Sequence, residues 1–182
     1  LIVADGRLLV STDQGSIHCF TPSAEKGPRA AQSRPTVQSH PDSTEERCRH
    51  AARIICQESG AGPGYCLVLG CETGGLAREL ATRTDLQIIG VERDPARVAA
   101  ARETLDSIGL YGPRVVVHEQ TGDGLPYPPG FANLVVCESL LETGQLPASV
   151  DEVAKVLRPC GGLVVLVARG DQVTAADLKA WG

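Results

Sequence analysis

The sequence predicts a doubly wound α/β domain built on a mainly parallel sheet. Three observations carry this. From Ser43 onward, short apolar runs alternate with helical stretches. The runs YCLVLG, LQIIGV, RVVVHE, ANLVVCESL and GGLVVLVA are near-continuously apolar, as strands covered by helices on both faces are. The first run empties into a Gly-rich turn, GCETGG, and then into a helix. In such a fold the ligand sits beyond the carboxyl ends of the strands.

Taken in order, residues 1–20 hold RLLVST, DQG and SIHCF, two β-prone runs about a turn, which predicts a short hairpin. Residues 21–43 carry four prolines with Ser, Ala and charge and no hydrophobic period, and read as a linker. The α/β domain is expected over 44–182. Ser43 followed by Glu46 is a capping box, and the helix it opens runs through RHAARIICQE to the glycines at 60–64. Strand one is 65–70, and GGLARELATR is the next helix. Strand two is 86–91. Asp94-Pro95 supplies an N-cap and a proline at the first helical position, opening a helix that Gly109 closes. Strand three is 114–119 and strand four 132–140. A second capping box, Ser149 with Glu152, starts a helix that ends at Arg158-Pro159. Strand five is 161–168, and a last short helix is expected from Thr174 to Trp181.

Composition narrows the function. Net charge is −5 and aromatics make up 3%, whereas a nucleic-acid surface wants a basic patch and stacking rings, so nucleic acid is not an expected partner. No apolar run approaches the roughly 18 residues of a membrane span, and no signal peptide opens the chain. The sequence starts at Leu1 without a single methionine, so a piece of a longer protein is expected. Seven cysteines form no CxxC pair. They read as buried small hydrophobes or free thiols of a reducing, cytoplasmic compartment, with no metal site. His50 and His118 read as a helix-surface and a strand residue.

Two features concentrate the chemistry. In the turn Gly70-Cys71-Glu72-Thr73-Gly74-Gly75, Gly70 and Gly74 permit a tight bend and close backbone approach, and the helix start offers free N–H groups. The same pattern also serves as a plain β–α connection. Glu92 ends strand two, 22 residues after Gly70. A carboxylate there can accept both ribose hydroxyls of an adenosine cofactor, or stand simply as a solvated strand-end acid. Asp94 reads as a helix cap.

The stretches VLGCETGGLAREL, IIGVERDPARVAAAR, LPYPPGFANLVVCESLL and VLRPCGGLVVLV resemble successive motifs of class I S-adenosylmethionine-dependent methyltransferases, in the right order across about residues 44–170. The resemblance implies a Rossmann-like fold, S-adenosylmethionine as cofactor and S-adenosylhomocysteine as product. It implies that the turn, Gly70, Cys71, Glu72 and Gly74, holds the methionine part, and that Glu92, with Arg93 beside it, binds the ribose. It also implies that Thr121 and Gly122, after strand three, and Cys137, at the end of strand four, line the adenine and the methyl donor. Glu138, near the end of strand four, is the candidate for orienting the nucleophile on the substrate side.

Five positions depart from the family pattern. Val68 replaces an acid in strand one, Glu72 a central glycine, Thr121 an adenine-side aspartate (with Asp123 close by), Asn133 an acid at the start of strand four and Cys160 a glycine before strand five. Glu72 poses a choice: its carboxylate can pair with the ammonium of the methionine moiety or repel the carboxylate of that moiety. Family members also finish the sheet with two further strands, and the 13 residues after Arg169 are too few for a helix and both strands.

VADGRLLVSTDQGSIHCF is similar to one hairpin of a pyrroloquinoline-quinone-type β-propeller repeat. That likeness implies a larger, multidomain parent, and would also permit a periplasmic location; the same stretch also reads as an ordinary hairpin packing on the α/β core. Three readings share these residues. The first is a methyltransferase acting on a small-molecule or protein nucleophile. The second is an inactive methyltransferase-like scaffold in a propeller protein. The third is a nicotinamide-binding domain, disfavoured by the LPYP and RPCGG stretches.

Overall fold

The computed structural model describes residues 2–4, 7–11, 17–20, 43–60, 62–145 and 148–168. The chain divides into two compact units, Leu1–Pro35 and Thr36–Gly182. In the first, β1 (Ile2–Ala4), β2 (Arg7–Ser11) and β3 (Ile17–Phe20) form an antiparallel meander in the order β1-β2-β3. The expected hairpin is β2 with β3, where Leu9 faces Cys19, and β1 extends it by a strand. The predicted linker, for 21–42, and the predicted helix from Thr174 to Trp181 lie outside the described residues.

The second unit runs α1 (Ser43–Ser59), β4 (Tyr65–Leu69), α2 (Gly75–Arg83), β5 (Gln87–Glu92), α3 (Pro95–Ser107), β6 (Val115–Glu119), β7 (Leu134–Cys137), α4 (Ser139–Glu142), α5 (Val150–Val156) and β8 (Leu163–Val165). Its five strands pair in parallel in the order β6-β5-β4-β7-β8. The chain thus builds outward from β4 through β5 to β6, then returns to the other side of β4 for β7. The reversal leaves a switch point between β4 and β7, where open α/β sheets bind ligands.

Two cores cover the sheet, one on each face. Cys66 and Val68 of β4 pack with Ala52 and Ile55 of α1, Leu80 of α2 and Leu105 of α3. Leu67 and Leu69 of the same strand pack with Val153 and Val156 of α5. Alternate side chains of one strand therefore enter different cores, which explains its unbroken apolar sequence. The edge strand β6 is partly covered by Arg102 of α3, whose guanidinium donates twice to the Val117 carbonyl at 3.0 and 2.7 Å.

Local chemistry sets the ends of the elements. Asp94 caps α3 as expected, its carboxylate accepting from the Ala96 N–H at 2.8 Å with Pro95 following. Ser149 caps α5 by accepting from the Glu152 N–H, at 3.3 Å. The capping box is not closed, because the Glu152 carboxylate turns away to accept from the Leu125 N–H at 2.9 Å. Strand four is shorter than predicted: it stops at Cys137, and Ser139–Glu142 turns into the helical element α4. Strand five likewise narrows to Leu163–Val165, and α5 ends at Val156. Among the described residues no helix is long and apolar enough to cross a membrane.

Candidate functional site

The carboxyl ends of β4 and β5 open into a cleft of about 250 Å³. Gly70, Glu72 and Glu92 line it, with Arg93 and Arg97 from the start of α3, Gln120 after β6, and Ser139, Thr143 and Gln145 after β7. A second cleft, of about 240 Å³, lies at the opposite end of the sheet around Leu86 and Asn133, away from the turn and the acid.

Glu92 is the anchor of the main cleft. It is 7% exposed, and its Oε1 accepts from the backbone N–H groups of Arg93 at 2.8 Å and Asp94 at 3.0 Å. Among the described residues Oε2 accepts no hydrogen bond. The carboxylate is therefore oriented by the chain that leaves β5, with one oxygen fixed and the other uncommitted. This is a built acceptor, unlike a solvated strand-end acid.

The glycine turn bends as tightly as its sequence implies, and neighbouring side chains press on its glycines. Gly70 has φ 61, and a Cβ there would lie 2.6 Å from the Ser139 hydroxyl oxygen. Gly74 has φ 75, and its Cβ would press on Leu105 at 3.2 Å. Both positions need glycine for left-handed backbone and for helix packing before any ligand arrives. Cys71 is fully buried: its Sγ lies 2.5 Å from where a Cβ on Gly90 would be, so its thiol faces β5. The Cys71 side chain thus packs away from the cleft, and its N–H donates to the Val91 carbonyl at 3.1 Å and pins the turn.

Glu72 does reach the cleft. Its carboxylate pairs with Arg97 at 2.9 Å, tying the turn to α3. Burial pushes its pKa above the ordinary value, the Arg97 guanidinium opposes that, and Glu142 and Glu92 add to the rise. Sequence reasoning missed Arg97. The signal was its place in the first turn of a helix that starts directly after the acid.

Other expectations are redistributed. Thr121 and Gly122 are exposed on the loop after β6 and do not line the cleft. Gln120 does; it is nearly buried, its N–H donates to the Glu92 carbonyl at 2.8 Å, and its amide nitrogen donates to the Gly124 carbonyl at 3.0 Å. Cys137 is buried in the α5-side core with its Sγ 3.2 Å from the Ser139 hydroxyl, and burial raises its pKa. Its side chain is packing material.

Glu138 is corrected most. It is 1% exposed and points beneath the turn instead of toward a substrate side, with Oε1 accepting from the Leu76 N–H at 3.2 Å. Asn133 sits at the amino end of β7, where its side-chain oxygen accepts from the Tyr65 N–H at 3.0 Å, so the departure there lies far from the cleft. Val68 is buried in the core with the α1 and α2 residues. Cys160 takes φ 57, left-handed backbone at the position where the family pattern has glycine. His118 pairs with the Tyr127 hydroxyl at 2.9 Å. Among the described residues six cysteines carry free thiols. Among the described residues no group of three or more metal-ligating side chains comes together.

Comparisons with known proteins agree with this geometry. Residues 66–161, over half of the chain, match the profile of the family described as "Methyltransferase domain". A search of curated proteins gave no match. Among solved structures, a protein from Methanococcus maripaludis assigned as an S-adenosyl-L-methionine-dependent methyltransferase superposes with a TM-score of 0.60 at 19% identity, over 68% of this chain and 56% of that one. Geranyl diphosphate C-methyltransferase from Streptomyces coelicolor, in complex with Mg2+, geranyl diphosphate and S-adenosyl-L-homocysteine, gives 0.55 at 18% identity, over 64% and 44%. A SAM-dependent methyltransferase from Aquifex aeolicus gives 0.51 at 15% identity, over 65% and 63%. The chain thus spans between 44% and 63% of the length of these structures. They share the fold of the five-stranded sheet. With the profile match over residues 66–161, more than half of its length, the chain belongs to the methyltransferase-domain family.

Proposed function

We propose that the cleft binds S-adenosylmethionine and that the domain transfers a methyl group to a nucleophile on a small molecule or protein, with S-adenosylhomocysteine as product. The observation that supports this best is the Glu92 carboxylate, held by two backbone N–H groups with its second oxygen uncommitted in the cleft that Gly70 also lines. When bound, the cofactor supplies an electrophilic methyl group on a sulfonium. The chain then has to position and exclude water, with little acid–base work. Glu92 Oε2 would accept the ribose hydroxyls. Gln120, whose amide nitrogen is committed to Gly124, would offer its amide oxygen to the cofactor. Arg93 and the turn around Gly70 and Glu72 complete the wall. No side chain in the cleft is assigned as a base. Cys71 and Cys137 are buried with raised pKa values and stay thiols.

A second reading, a non-catalytic module, is favoured by one feature. The Glu72–Arg97 pair lies within the cleft, where a ligand has to displace or accommodate it. Thermal melting with S-adenosylmethionine, S-adenosylhomocysteine and NAD decides. A ligand at about 100 times its Kd stabilises by about 2.7 kcal/mol, which is visible as a raised Tm. A rise with the first two and none with NAD supports the methyltransferase. No rise with any of them supports the module.

We further propose that residues 1–20 belong to a propeller-type repeat, with the domain covalently part of a larger protein. The VADGRLLVSTDQGSIHCF pattern supports it, as does the antiparallel arrangement of β1 to β3. The free buried thiols Cys48, Cys66, Cys71 and Cys137 suit a reducing compartment.

A further inference from the structure

Helix α2 begins without a capping side chain of its own. Its N-cap is Gly74, and no side chain of the turn accepts from the first N–H groups of the helix. Such groups need a partner when buried. The partner comes from 62 residues along the chain: Glu138 Oε1 accepts from the Leu76 N–H at 3.2 Å. A Cβ at Gly75 would meet Glu138 Oε1 at ordinary contact, 3.5 Å, and crowd Cys48 Sγ at 3.1 Å. The Cys48 thiol donates to the same oxygen at 3.7 Å. Oε2 is buried without a hydrogen-bond partner among the described residues.

We infer that Glu138 is a positioning residue, an N-cap supplied from β7 that fixes the start of α2 and thereby the glycine turn of the cleft. The pairing of β7 with β4 explains how a residue just past β7 does this. Val68 of β4 faces Val136 of β7, and both enter the core shared with α1 and α2. Glu138 follows the last residue of β7, and its contacts with Cys48 and the Leu76 N–H, both part of that core, place it on the same face. The acid that the family pattern places at Val68 is missing, and a carboxylate enters the same face from the adjoining strand. A negative charge at a helix N-terminus is favourable, but an ion sealed from water is not. Burial, the larger effect, pushes the Glu138 pKa up to about 7, opposed by the Leu76 N–H and raised further by Glu72. The other ionisable groups facing it are the Cys48, Cys71 and Cys137 thiols, with Glu142 and Arg78 beyond Cys48. The inference deepens the cofactor reading and rests on it only for the consequence at the cleft.

The test compares the full chain with Glu138→Gln and Glu138→Leu. Amide exchange at Leu76, followed by NMR, should accelerate about tenfold or more in the Leu variant and stay near wild type in the Gln variant, which keeps an acceptor oxygen. The Leu76 amide proton shift should titrate with a midpoint near pH 7 in wild type and not in the Gln variant, a comparison that holds even if the Leu variant fails to fold. S-adenosylhomocysteine affinity should fall about tenfold in the Leu variant and change little in the Gln variant. Unchanged Leu76 exchange in the Leu variant, or a titration that persists in the Gln variant, overturns the N-cap. Unchanged affinity in a folded Leu variant overturns its link to the cleft. If wild type binds no S-adenosylhomocysteine while the Leu76 signatures appear, the cofactor reading falls and the N-cap stands.

Discussion

At the scale of single residues, Glu72 and Arg97 decide how the cleft meets a ligand. Their pair, at 2.9 Å, lies where the family pattern has a glycine with no side chain at all. Glu72→Gly removes the crowding and the like charge facing Glu92 and Glu142, and releases Arg97 toward a ligand carboxylate. The expected outcome is tighter S-adenosylhomocysteine binding, by about threefold to tenfold, the scale of one relieved polar contact. Weaker binding by the variant in the same buffer would instead assign Glu72 to the ligand's ammonium. Cys160 offers an independent check on backbone strain. At φ 57 a side-chain-bearing residue is disfavoured by about 1–2 kcal/mol, part of which the extra freedom of glycine in the unfolded chain offsets. Cys160→Gly should therefore raise stability by up to about 1 kcal/mol in denaturant melts. Among the site residues, Glu92 was legible because spacing and strand position together place it. Cys71 and Cys137 were not. Cys71 lies just past, and Cys137 at the end of, a strand buried on both faces, whose sequence has no polar side to show which way a side chain turns.

At the scale of elements, the sequence pattern located each helix and strand of the described α/β unit except α4. ANLVVCESL is apolar enough to read as one strand, but the polar pair Glu138-Ser139 marks where the ladder stops. Glu138 then leaves β7 for the start of α2, a partner too distant in sequence for any local rule to find. The second capping box shows the same limit. Its serine caps α5, while its glutamate serves the loop before β7 by holding the Leu125 N–H at 2.9 Å. A long-range acceptor should matter more than a local one here, since Leu125 is buried in the α5-side core. Glu152→Ala should cost about 1–2 kcal/mol, read as a lowered denaturation midpoint, with faster amide exchange at Leu125. An unchanged Leu125 amide would remove Glu152 from that role.

At the scale of the whole molecule, the alternation of apolar runs and helices made the doubly wound sheet legible. Its strand order was less so, because the return from β6 to β7 across β4 is a property of packing and leaves no local mark. The division into Leu1–Pro35 and Thr36–Gly182 carries its own expectation. A protein beginning at Thr36 should melt in one cooperative transition near that of the full chain, because both cores are built from residues after that point. Loss of the transition would make the N-terminal strands part of the domain's stability. The central claim concerns the cleft at the switch point, and calorimetric titration of S-adenosylhomocysteine into wild type and Glu92→Ala tests it most directly. The expected result is one binding site in wild type and an affinity about 10- to 100-fold weaker in a folded variant, the scale of a lost charged hydrogen-bond partner. No binding by wild type, or equal affinity in the two proteins, would contradict it.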